Sequence, residues 1–498
     1  MRLRRLRTHL NASFLEDLRR KMEQDPARVF DMEVNSYLKH SQKLRRDYAD
    51  VSERSELVRQ TSLAVANAQS PPGECFVFGT GDNGQLGMGD DLLELMRPRL
   101  LDTIPGVNAA SVIKICCGGM HTLAVCQGGV MYSWGVNDEG ALGRVTKKDA
   151  ADEESKPGLV TLPSNAGGVV DVSTGDSHVA VVTSTGAIVA WGCFRNSSGQ
   201  WAFTAEEKIC KRPTIVYSPD GSEGSNAINV ASGTDHVLAL TRRGDVYSWG
   251  CPEKGKLGRV NAAEADDAEA RGLEKVKPLV TPARVPNIPY PASAVVAGDN
   301  HSFAICAAED TVYAWGLNSY GQTGLPYDAS NPGSTQTEYF PKAVPSLKGL
   351  GVASGDAGST HTTMLTKDGK VYTFGRPAYG RLGQLGIDPK DDEPKPQPGL
   401  VHGLDEVGRI VSVHSGCNGS NAAVTAGGEA YVWGYAQEGN LGRGDDCDDA
   451  HVPERLKPTR AMTGKKVVAV SFGGQHTAAL CVGGSGGDGT PGGKRART

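Results

Sequence analysis

The hydrophobic positions of this chain fall in short runs of Val, Ile, Thr and Tyr that Gly interrupts every few residues. Runs of this length and composition predict antiparallel strands joined by tight turns rather than amphipathic helices. One phrase, an aromatic strand ending in Gly, recurs along most of the chain. Its copies are FVFGTGDNGQLG (76–87), MYSWGVNDEGALG (131–143), a divergent IVAWGCFRNSSGQW (188–201), VYSWGCPEKGKLG (246–258), VYAWGLNSYGQTG (312–324), VYTFGRPAYGRLG (371–383) and YVWGYAQEGNLG (431–442).

A second phrase accompanies the first and consists of a Gly turn, a His and another apolar run. Its copies are GGMHTLAV (118–125), GDSHVAVV (175–182), GTDHVLAL (233–240), GDNHSFAI (298–305), GSTHTTML (358–365) and GGQHTAAL (473–480). The corresponding stretch SGCNGSNAAV (415–424) lacks the His. With the strands that flank it, each unit supplies about four strands.

The two phrases together define seven units, whose aromatic positions are 56 to 66 residues apart. A four-stranded unit cannot bury both of its faces alone, so the units must pack face to face in a closed ring. The first aromatic strand has no His phrase before it, and the last His phrase has no aromatic strand after it. The two ends of the repeat therefore complete one blade. We predict an all-β fold, a seven-bladed β-propeller over residues 74–482.

The repeated residues are predicted to have structural roles. The aromatic residue before Gly fits between neighbouring blades, and six His residues on six blades cannot converge on one metal ion. We expect each His to be buried and to satisfy backbone groups of its own turn. No acid–base pair stands outside the repeat, and no P-loop for GTP is present. We therefore predict a protein that is not an enzyme and has no metal site and no cofactor.

Charge and cysteine content narrow the class of partner. Residues 71–498 carry 38 Lys and Arg against 47 Asp and Glu, whereas residues 1–70 carry 14 against 10. An acidic body repels phosphate backbones and favours a basic protein surface. The 11 cysteines include no CxxC pair, which is typical of reduced thiols. No apolar stretch resembles a signal peptide or a membrane span, so we expect no membrane partner.

The two phrases and their period resemble the regulator-of-chromosome-condensation repeat family over about residues 74–482. Three irregular stretches are similar to the branch of that family that exchanges guanine nucleotide on the small GTPase Ran. They are GDSH leading to WGCFRNSSG (175–199), KGKLGRV with an insert ending in RGLEKVKP (254–278), and GRPAYGRLG (375–383). The resemblance implies exchange without covalent catalysis, through one end of the propeller, in support of nucleocytoplasmic transport and mitosis.

The resemblance also implies a β-wedge that enters the phosphate-binding region of the GTPase. Here the wedge would span Gly192–Gly199, in the copy where the Gly-x-Leu-Gly pattern fails, and a loop that has merely drifted is the alternative. Phe194 and Arg195 are the expected contact residues. The full set of wedge residues is Cys193, Phe194, Arg195, Asn196, Ser197 and Ser198.

The turns before the repeated His are expected to carry the remaining GTPase contacts, because their side chains vary without disturbing the blade. Asp176 and Asp235 match residues of the exchange face of the family, as does His476, although the repeat alone accounts for that His. Local turn capping is the alternative for the acids. The family has another His where this chain has Thr360, which places that contact in doubt. The predicted GTPase-binding residues are Asp176, Asp235, Asp299, Thr360 and His476.

The segments outside the repeat suggest a nuclear location and a contact with chromatin. Residues 1–68 predict a basic, helical or partly disordered extension, with a linker at 69–73, and a mitochondrial presequence is an alternative for the Arg-rich start. Residues 483–498 predict a flexible Gly-rich tail whose Lys494, Arg495 and Arg497 resemble a nuclear-import patch. In the insert at 261–278, Arg271 is a candidate nucleosome contact, although four acids precede it.

We therefore expect a nuclear, monomeric exchange factor for a small GTPase of the Ran type, with nucleosome or chromatin as a second partner and the cytoplasm as an alternative location. The competing hypothesis is an interaction scaffold with the same repeat and no exchange activity. It is supported by the substituted wedge residues, Asn196 to Ser198, and by the acidic insert.

Overall fold

The computed structural model describes residues 72–483, except for 105–110, 148–150, 271–272, 329, 331–335, 389 and 445. The predicted extension over residues 1–68 lies outside the described residues. So do residues 69–71 of the linker, Arg271, and the tail with Lys494, Arg495 and Arg497.

Seven four-stranded antiparallel sheets form the blades, which confirms the predicted seven-bladed propeller. The chain opens with β1 (Glu74–Thr80) and β2 (Glu94–Leu100) of the closing blade. The first blade holds β3 (Val112–Cys117), β4 (His121–Cys126), β5 (Met131–Gly135) and β6 (Gly158–Val160). The second holds β7 (Val169–Thr174), β8 (His178–Thr183), β9 (Ile188–Gly192) and β12 (Cys210–Tyr217), and a separate hairpin of β10 (Phe194–Asn196) and β11 (Gly199–Ala202) precedes β12.

The remaining blades repeat the same order of strands. The third holds β13 (Ala227–Ser232), β14 (His236–Thr241), β15 (Val246–Gly250) and β16 (Ala283–Arg284), and the fourth holds β17 (Ala294–Ala297), β18 (His301–Cys306), β19 (Thr311–Leu317) and β20 (Thr337–Ala343). The fifth holds β21 (Val352–Ala357), β22 (His361–Thr366), β23 (Val371–Gly375) and β24 (Lys395–Leu400). The sixth holds β25 (Ile410–Ser415), β26 (Ser420–Thr425), β27 (Ala430–Gly434) and β28 (Ala450–Arg455), and β29 (Lys466–Phe472) and β30 (His476–Val482) return to the closing blade.

Three α-helices lie in the loops between strands in the part of the chain that the structure describes. They are α1 (Ala151–Glu154), α2 (Ala262–Ala270) and α3 (Leu273–Val280). Helix α3 packs Val276, Leu279 and Val280 into the apolar core between the second and third blades. None of the described helices is long and apolar enough to cross a membrane.

The ring closes as the sequence predicts, because β1 pairs with β30 along its whole length, with Phe76 opposite Ala479. The closing sheet has the order β2-β1-β30-β29, so both ends of the repeat share one blade. Pairing these strands removes two free sheet edges, which would otherwise expose unpaired backbone groups.

Neighbouring blades are joined by one backbone carbonyl, that of the second residue in each Gly-x-Leu-Gly or equivalent loop. The indole Nε1 of Trp134 donates to the carbonyl of Gln85 over 2.9 Å, and Trp315 donates to that of Lys256 over 3.0 Å. A hydroxyl of the same blade donates to the same oxygen, as Ser302 does to Lys256 over 3.1 Å. The indole also needs a Gly at the last position of the loop, since a Cβ on Gly87 would lie 2.6 Å from the Trp134 indole nitrogen. We call this arrangement the carbonyl junction.

The repeated His extends the junction. The Nε2 atoms of His236 and His301 lie 2.8 Å from the hydroxyls of Ser302 and Thr362 in the next blade. Because Ser302 donates to a carbonyl, its oxygen accepts from the His N–H. The prediction of burial is confirmed, but the expected partner was wrong, since these His residues bond the following blade rather than their own turn. Burial lowers the pKa of His301 to about 3, so its ring is neutral at pH 7.

One blade interface lacks the junction. The divergent copy at 188–201 has the hairpin β10–β11 in place of a Gly-x-Leu-Gly loop, and it offers no carbonyl to the next blade. Accordingly, the Nε1 of Trp249 has no hydrogen-bond partner among the described residues, although the ring is only 1% exposed. Val237 stands in that blade where a hydroxyl residue would otherwise lie.

This difference supplies a matched pair of substitutions. We expect Trp315→Phe to lower the free energy of unfolding by about 1 kcal/mol more than Trp249→Phe, because both remove the same atoms but only the first breaks a hydrogen bond. Urea unfolding followed by circular dichroism measures the difference. Equal losses in the two variants would contradict a stabilising role for the carbonyl junction.

Candidate functional site

The turns before the repeated His and the loops after the aromatic strands lie on the same end of the propeller. The register shows this directly, since His178 at the start of β8 pairs with Gly192 at the end of β9, and the other blades with a His follow the same rule. We call this end the turn face. It includes the turns at 118–120, 175–177, 233–235, 298–300, 358–360, 416–419 and 473–475.

The hairpin β10–β11 belongs to the turn face and stands outside the blade sheets. It pairs Arg195 with Gln200 and Asn196 with Gly199. The side chains of Arg195, Ser197 and Ser198 are exposed, and Asn196 is half-buried. The predicted wedge is therefore a two-stranded element with an accessible tip.

Two predicted wedge residues do not reach the surface. Cys193 and Phe194 are completely buried, so neither side chain is exposed on the turn face. The Phe194 ring stacks on Phe203 at 5.0 Å and lies 4.8 Å from the His178 ring. Burial raises the pKa of the Cys193 thiol to about 12, which keeps it protonated. These residues anchor the hairpin to the second blade instead.

Carboxylates of the third blade hold the hairpin from the other side. The backbone N–H of Arg195 donates to Asp235 Oδ1 over 2.6 Å. The N–H and hydroxyl of Ser197 donate to Glu253 Oε1 over 2.9 and 2.8 Å. Asp235 is only 7% exposed, and its carboxylate supports the hairpin backbone. Glu253 was missed from the sequence, because its loop position gives no sign of which hairpin it faces.

The guanidinium of Arg195 connects the hairpin to the first blade. Its Nε lies 3.8 Å from Glu139 Oε1, and its Nη1 lies 4.0 Å from Asp176 Oδ2. The Asp176 side chain is 39% exposed, which makes it the accessible member of the predicted acidic set next to the hairpin. Glu139 lies in the loop after β5 and was also missed.

The acids of the turn face are poorly solvated. Burial raises the pKa of Asp235 to about 6, against the opposing effect of the Lys256 charge and the Arg195 N–H. It raises the pKa of Asp299 to about 6 as well, and that of Asp176, where Arg195 opposes the shift. Asp176, Asp299 and Asp356 line the mouth of a central channel of about 180 Å³. The turn face therefore carries several carboxylates whose ionised form is disfavoured by partial burial.

The last two predicted contacts differ from these acids. His476 is completely buried, and its Nε2 lies 2.7 Å from the Thr122 hydroxyl, so it joins the closing blade to the first blade and does not face a partner. Thr360 is half-buried, and its hydroxyl has no hydrogen-bond partner within the described part of the chain.

The insert that contains α2 and α3 is fixed by Arg259. Its guanidinium donates to the carbonyls of Pro278 and Leu279 over 2.9 and 3.0 Å at the end of α3. Burial lowers the pKa of Arg259 to about 10. Among the described residues, no group of three or more His, Cys, Asp or Glu side chains is placed to hold a metal ion.

The fold and the site define a closed propeller whose turn face carries an accessible hairpin held by carboxylates of the next blade. Residues 74–479 match the RCC1-like domain, and the chain belongs to that family. The human "Regulator of chromosome condensation" is 34% identical over 444 residues, covering 88% of this chain and 97% of the relative.

Two yeast comparisons agree with this assignment. The Saccharomyces cerevisiae "Guanine nucleotide exchange factor SRM1" is 33% identical over 443 residues, covering 82% of this chain and 86% of the relative. The crystal structure of Prp20p from the same yeast, described with its binding properties to Gsp1p and histones, superposes with a TM-score of 0.71 at 29% identity and covers 84% of this chain and 93% of Prp20p.

The raised pKa of Asp235 predicts a pH effect on stability. Its folded pKa, about 6, exceeds the ordinary value of 3.8, so the folded state binds the proton more tightly and ionisation costs stability as pH rises from about 4 to about 6. Asp235→Asn keeps an oxygen for the Arg195 N–H and removes that cost. We expect this variant to gain free energy of unfolding relative to the unmodified protein, by roughly 2 kcal/mol above pH 6 and little below pH 4.

Urea unfolding of both proteins between pH 4 and pH 8 measures the difference, and the contributions of Asp176 and Asp299 cancel to first order because both remain in each protein. A gain that does not change with pH would contradict the buried, ionised state of Asp235.

Proposed function

We propose that this protein is a guanine-nucleotide exchange factor for a small GTPase of the Ran type. The observation that carries the proposal is the hairpin β10–β11, which replaces one blade-joining loop and presents an accessible tip on an acidic face. The repeat loses the carbonyl junction at that interface, so the hairpin is retained at a cost in stability. The relatives named as exchange factor and as a binder of Gsp1p support the assignment.

Exchange requires differential binding rather than a nucleophile. Small GTPases hold nucleotide with an affinity of roughly nanomolar or better, about 12 kcal/mol, much of it from phosphate and Mg²⁺ contacts. A factor that binds the nucleotide-free GTPase far better than the loaded form offsets most of that energy. The coupling is reciprocal, so entering GDP or GTP expels the factor, and the cellular excess of GTP sets the direction.

The residues divide this task between them. The exposed Arg195, Ser197 and Ser198 enter the partner, and Asp176 attracts its basic surface. Asp235 and Glu253 act as positioning residues, because their hydrogen bonds fix the hairpin backbone. Asp299 contributes charge at the channel mouth, and Phe194 holds the base of the hairpin rigid against Phe203.

We further propose that the protein works in the nucleus on chromatin, in nucleocytoplasmic transport and mitosis. Histone binding is described for Prp20p, and another solved structure shows yeast RCC1 bound to Kap60, with a TM-score of 0.72 at 29% identity. The basic residues Lys494, Arg495 and Arg497 would serve nuclear import, and Arg271 a nucleosome contact.

The wedge assignment is tested with Arg195→Ala. We expect kcat for release of fluorescent GDP from Ran to fall about tenfold, since loss of ~1.4 kcal/mol of binding to the nucleotide-free GTPase slows the step by that factor. Arg212→Ala is the control, because Arg212 is an exposed Arg on β12 of the same blade. If the unmodified protein accelerates release from neither Ran nor other small GTPases, the scaffold hypothesis replaces exchange.

Two substitutions of Asp235 distinguish the role of its hydrogen bond to the hairpin from the role of its charge. Asp235→Ala leaves the Arg195 N–H without its acceptor and is expected to slow exchange several-fold without unfolding the propeller. Asp235→Asn retains an acceptor oxygen and is expected to keep most of the rate. The same GDP-release assay, with melting temperatures as the folding control, distinguishes them. An equal loss in both variants would show that the charge, and not the hydrogen bond, is used.

A further inference from the structure

Arg381 is a buried cation on the turn face that forms no ion pair with a described residue, although the more distant charges of Asp392 and Asp449 act on it. It lies in the loop between β23 and β24 and is 7% exposed. Its Nη1 donates to the Ala378 carbonyl over 3.0 Å, and its Cζ lies 4.8 Å from the centre of the Tyr379 ring. Its Nε has no hydrogen-bond partner, and no carboxylate lies within ion-pair distance among the described residues. Burial lowers the pKa of Arg381, although the guanidinium stays protonated.

The third blade shows how the repeat treats a cation at this position. Lys256 is the equivalent residue of its Gly-x-Leu-Gly loop and is 3% exposed. Its charge acts on Asp235, the residue before the His of the same blade. In the fifth blade the residue before the His is Thr360, whose hydroxyl is buried without a partner among the described residues. The carboxylate that accompanies the cation in one blade is therefore missing from the other.

Two tyrosines, Tyr379 and Tyr435, lie beside the Arg381 guanidinium. Tyr379 has a φ of 62° and is 41% exposed. A left-handed backbone costs a non-Gly residue about 1 kcal/mol or more, so the backbone that positions the Tyr379 ring is strained. Its ring makes an edge contact with Tyr435 at 5.6 Å. Next to it, Arg376 lies over the Tyr320 ring at 4.8 Å while it is paired with Asp392.

Tyr and Arg in a well-packed rim are the residues that dominate binding energy in protein interfaces. A guanidinium that is already desolvated binds a carboxylate strongly, because the cost of removing water has been met during folding, and its planar fork donates N–H groups to both oxygens. A carboxylate is the group that this position lacks relative to the third blade.

We propose that Arg381, flanked by Tyr379 and Tyr435, receives an Asp or Glu side chain of the docking GTPase. The inference rests on the proposed function and deepens it, because it adds a cationic anchor in the fifth and sixth blades to the acidic contacts near the hairpin. The site lies on the same turn face as the hairpin, since His361 and His178 pair with the Gly that ends the next strand in the same register. Arg381 contributes affinity in both the loaded and the nucleotide-free complexes, and the hairpin contributes the discrimination between them.

The test uses Arg381→Gln in the full chain. Gln is the residue that the repeat itself carries at the equivalent positions 85 and 322, so the loop is expected to keep its fold. We expect KM for Ran in GDP release to rise about tenfold while kcat changes little, because the lost contact serves both complexes equally. Arg99→Gln, an exposed residue on β2 of the closing blade, removes the same charge and is expected to leave KM unchanged.

A second variant leaves Arg381 in place. Thr360→Asp recreates the acid that stands before the His in the third blade and is expected to raise KM by a similar factor, because the new carboxylate competes with that of the GTPase. The double variant is expected to lose no more than the larger single effect, since both changes act on one contact.

The outcomes separate the inference from the function on which it rests. If the unmodified protein accelerates GDP release and both Arg381→Gln and Thr360→Asp retain its KM, the anchor is refuted and exchange stands. If the unmodified protein does not accelerate release, the proposed function fails, and the anchor fails with it. A rise in KM that is equally large in Arg99→Gln would refute a local contact in favour of net charge.

Discussion

The propeller depends on a single backbone oxygen at six of its seven described blade interfaces. The carbonyl of the second loop residue accepts from the indole of the next blade, from its hydroxyl or amide, or from both. The hydroxyl in turn accepts from the His of the blade before it. Because these groups are buried, an unmade bond leaves a polar atom without compensation, which costs more than the bond itself contributes. The aromatic residue, the Gly loop and the His therefore recur together.

The same constraint explains why the hairpin lies between the second and third blades. The interface between the second and third blades lacks the oxygen, and Trp249 remains without a partner there in the described structure. At this interface the hairpin stands in place of the loop that forms the junction elsewhere. Asp235 and Glu253, on the other side of the interface, fix its geometry. The ionised, poorly solvated carboxylate of Asp235 lowers stability at neutral pH, and together with Glu253 it provides the hydrogen bonds that hold the hairpin.

Much of this architecture was predictable, because each copy of the sequence repeat forms the same strands and the same contacts. The spacing of Phe78, Trp134 and the later aromatics predicted the number of blades, and the incomplete phrases at the ends predicted closure. What the spacing could not reveal was contact between units. His476 was predicted to be buried with the other repeated His residues, but its Thr122 partner in the next blade could not be read from the repeat. Phe194 was expected to touch the partner, whereas its packing on Phe203 depends on a hairpin register that alternation alone does not specify.

The pairing of β1 with β30 has a consequence for how the protein is made. Phe76 is among the first residues of the repeat to leave the ribosome, and its partner Ala479 is among the last. Contacts between residues so distant in the chain slow folding, because the entropy of closing the intervening loop must be lost before the strands gain anything. Until synthesis ends, one edge of β1 is unpaired and open to pairing with strands of other nascent chains.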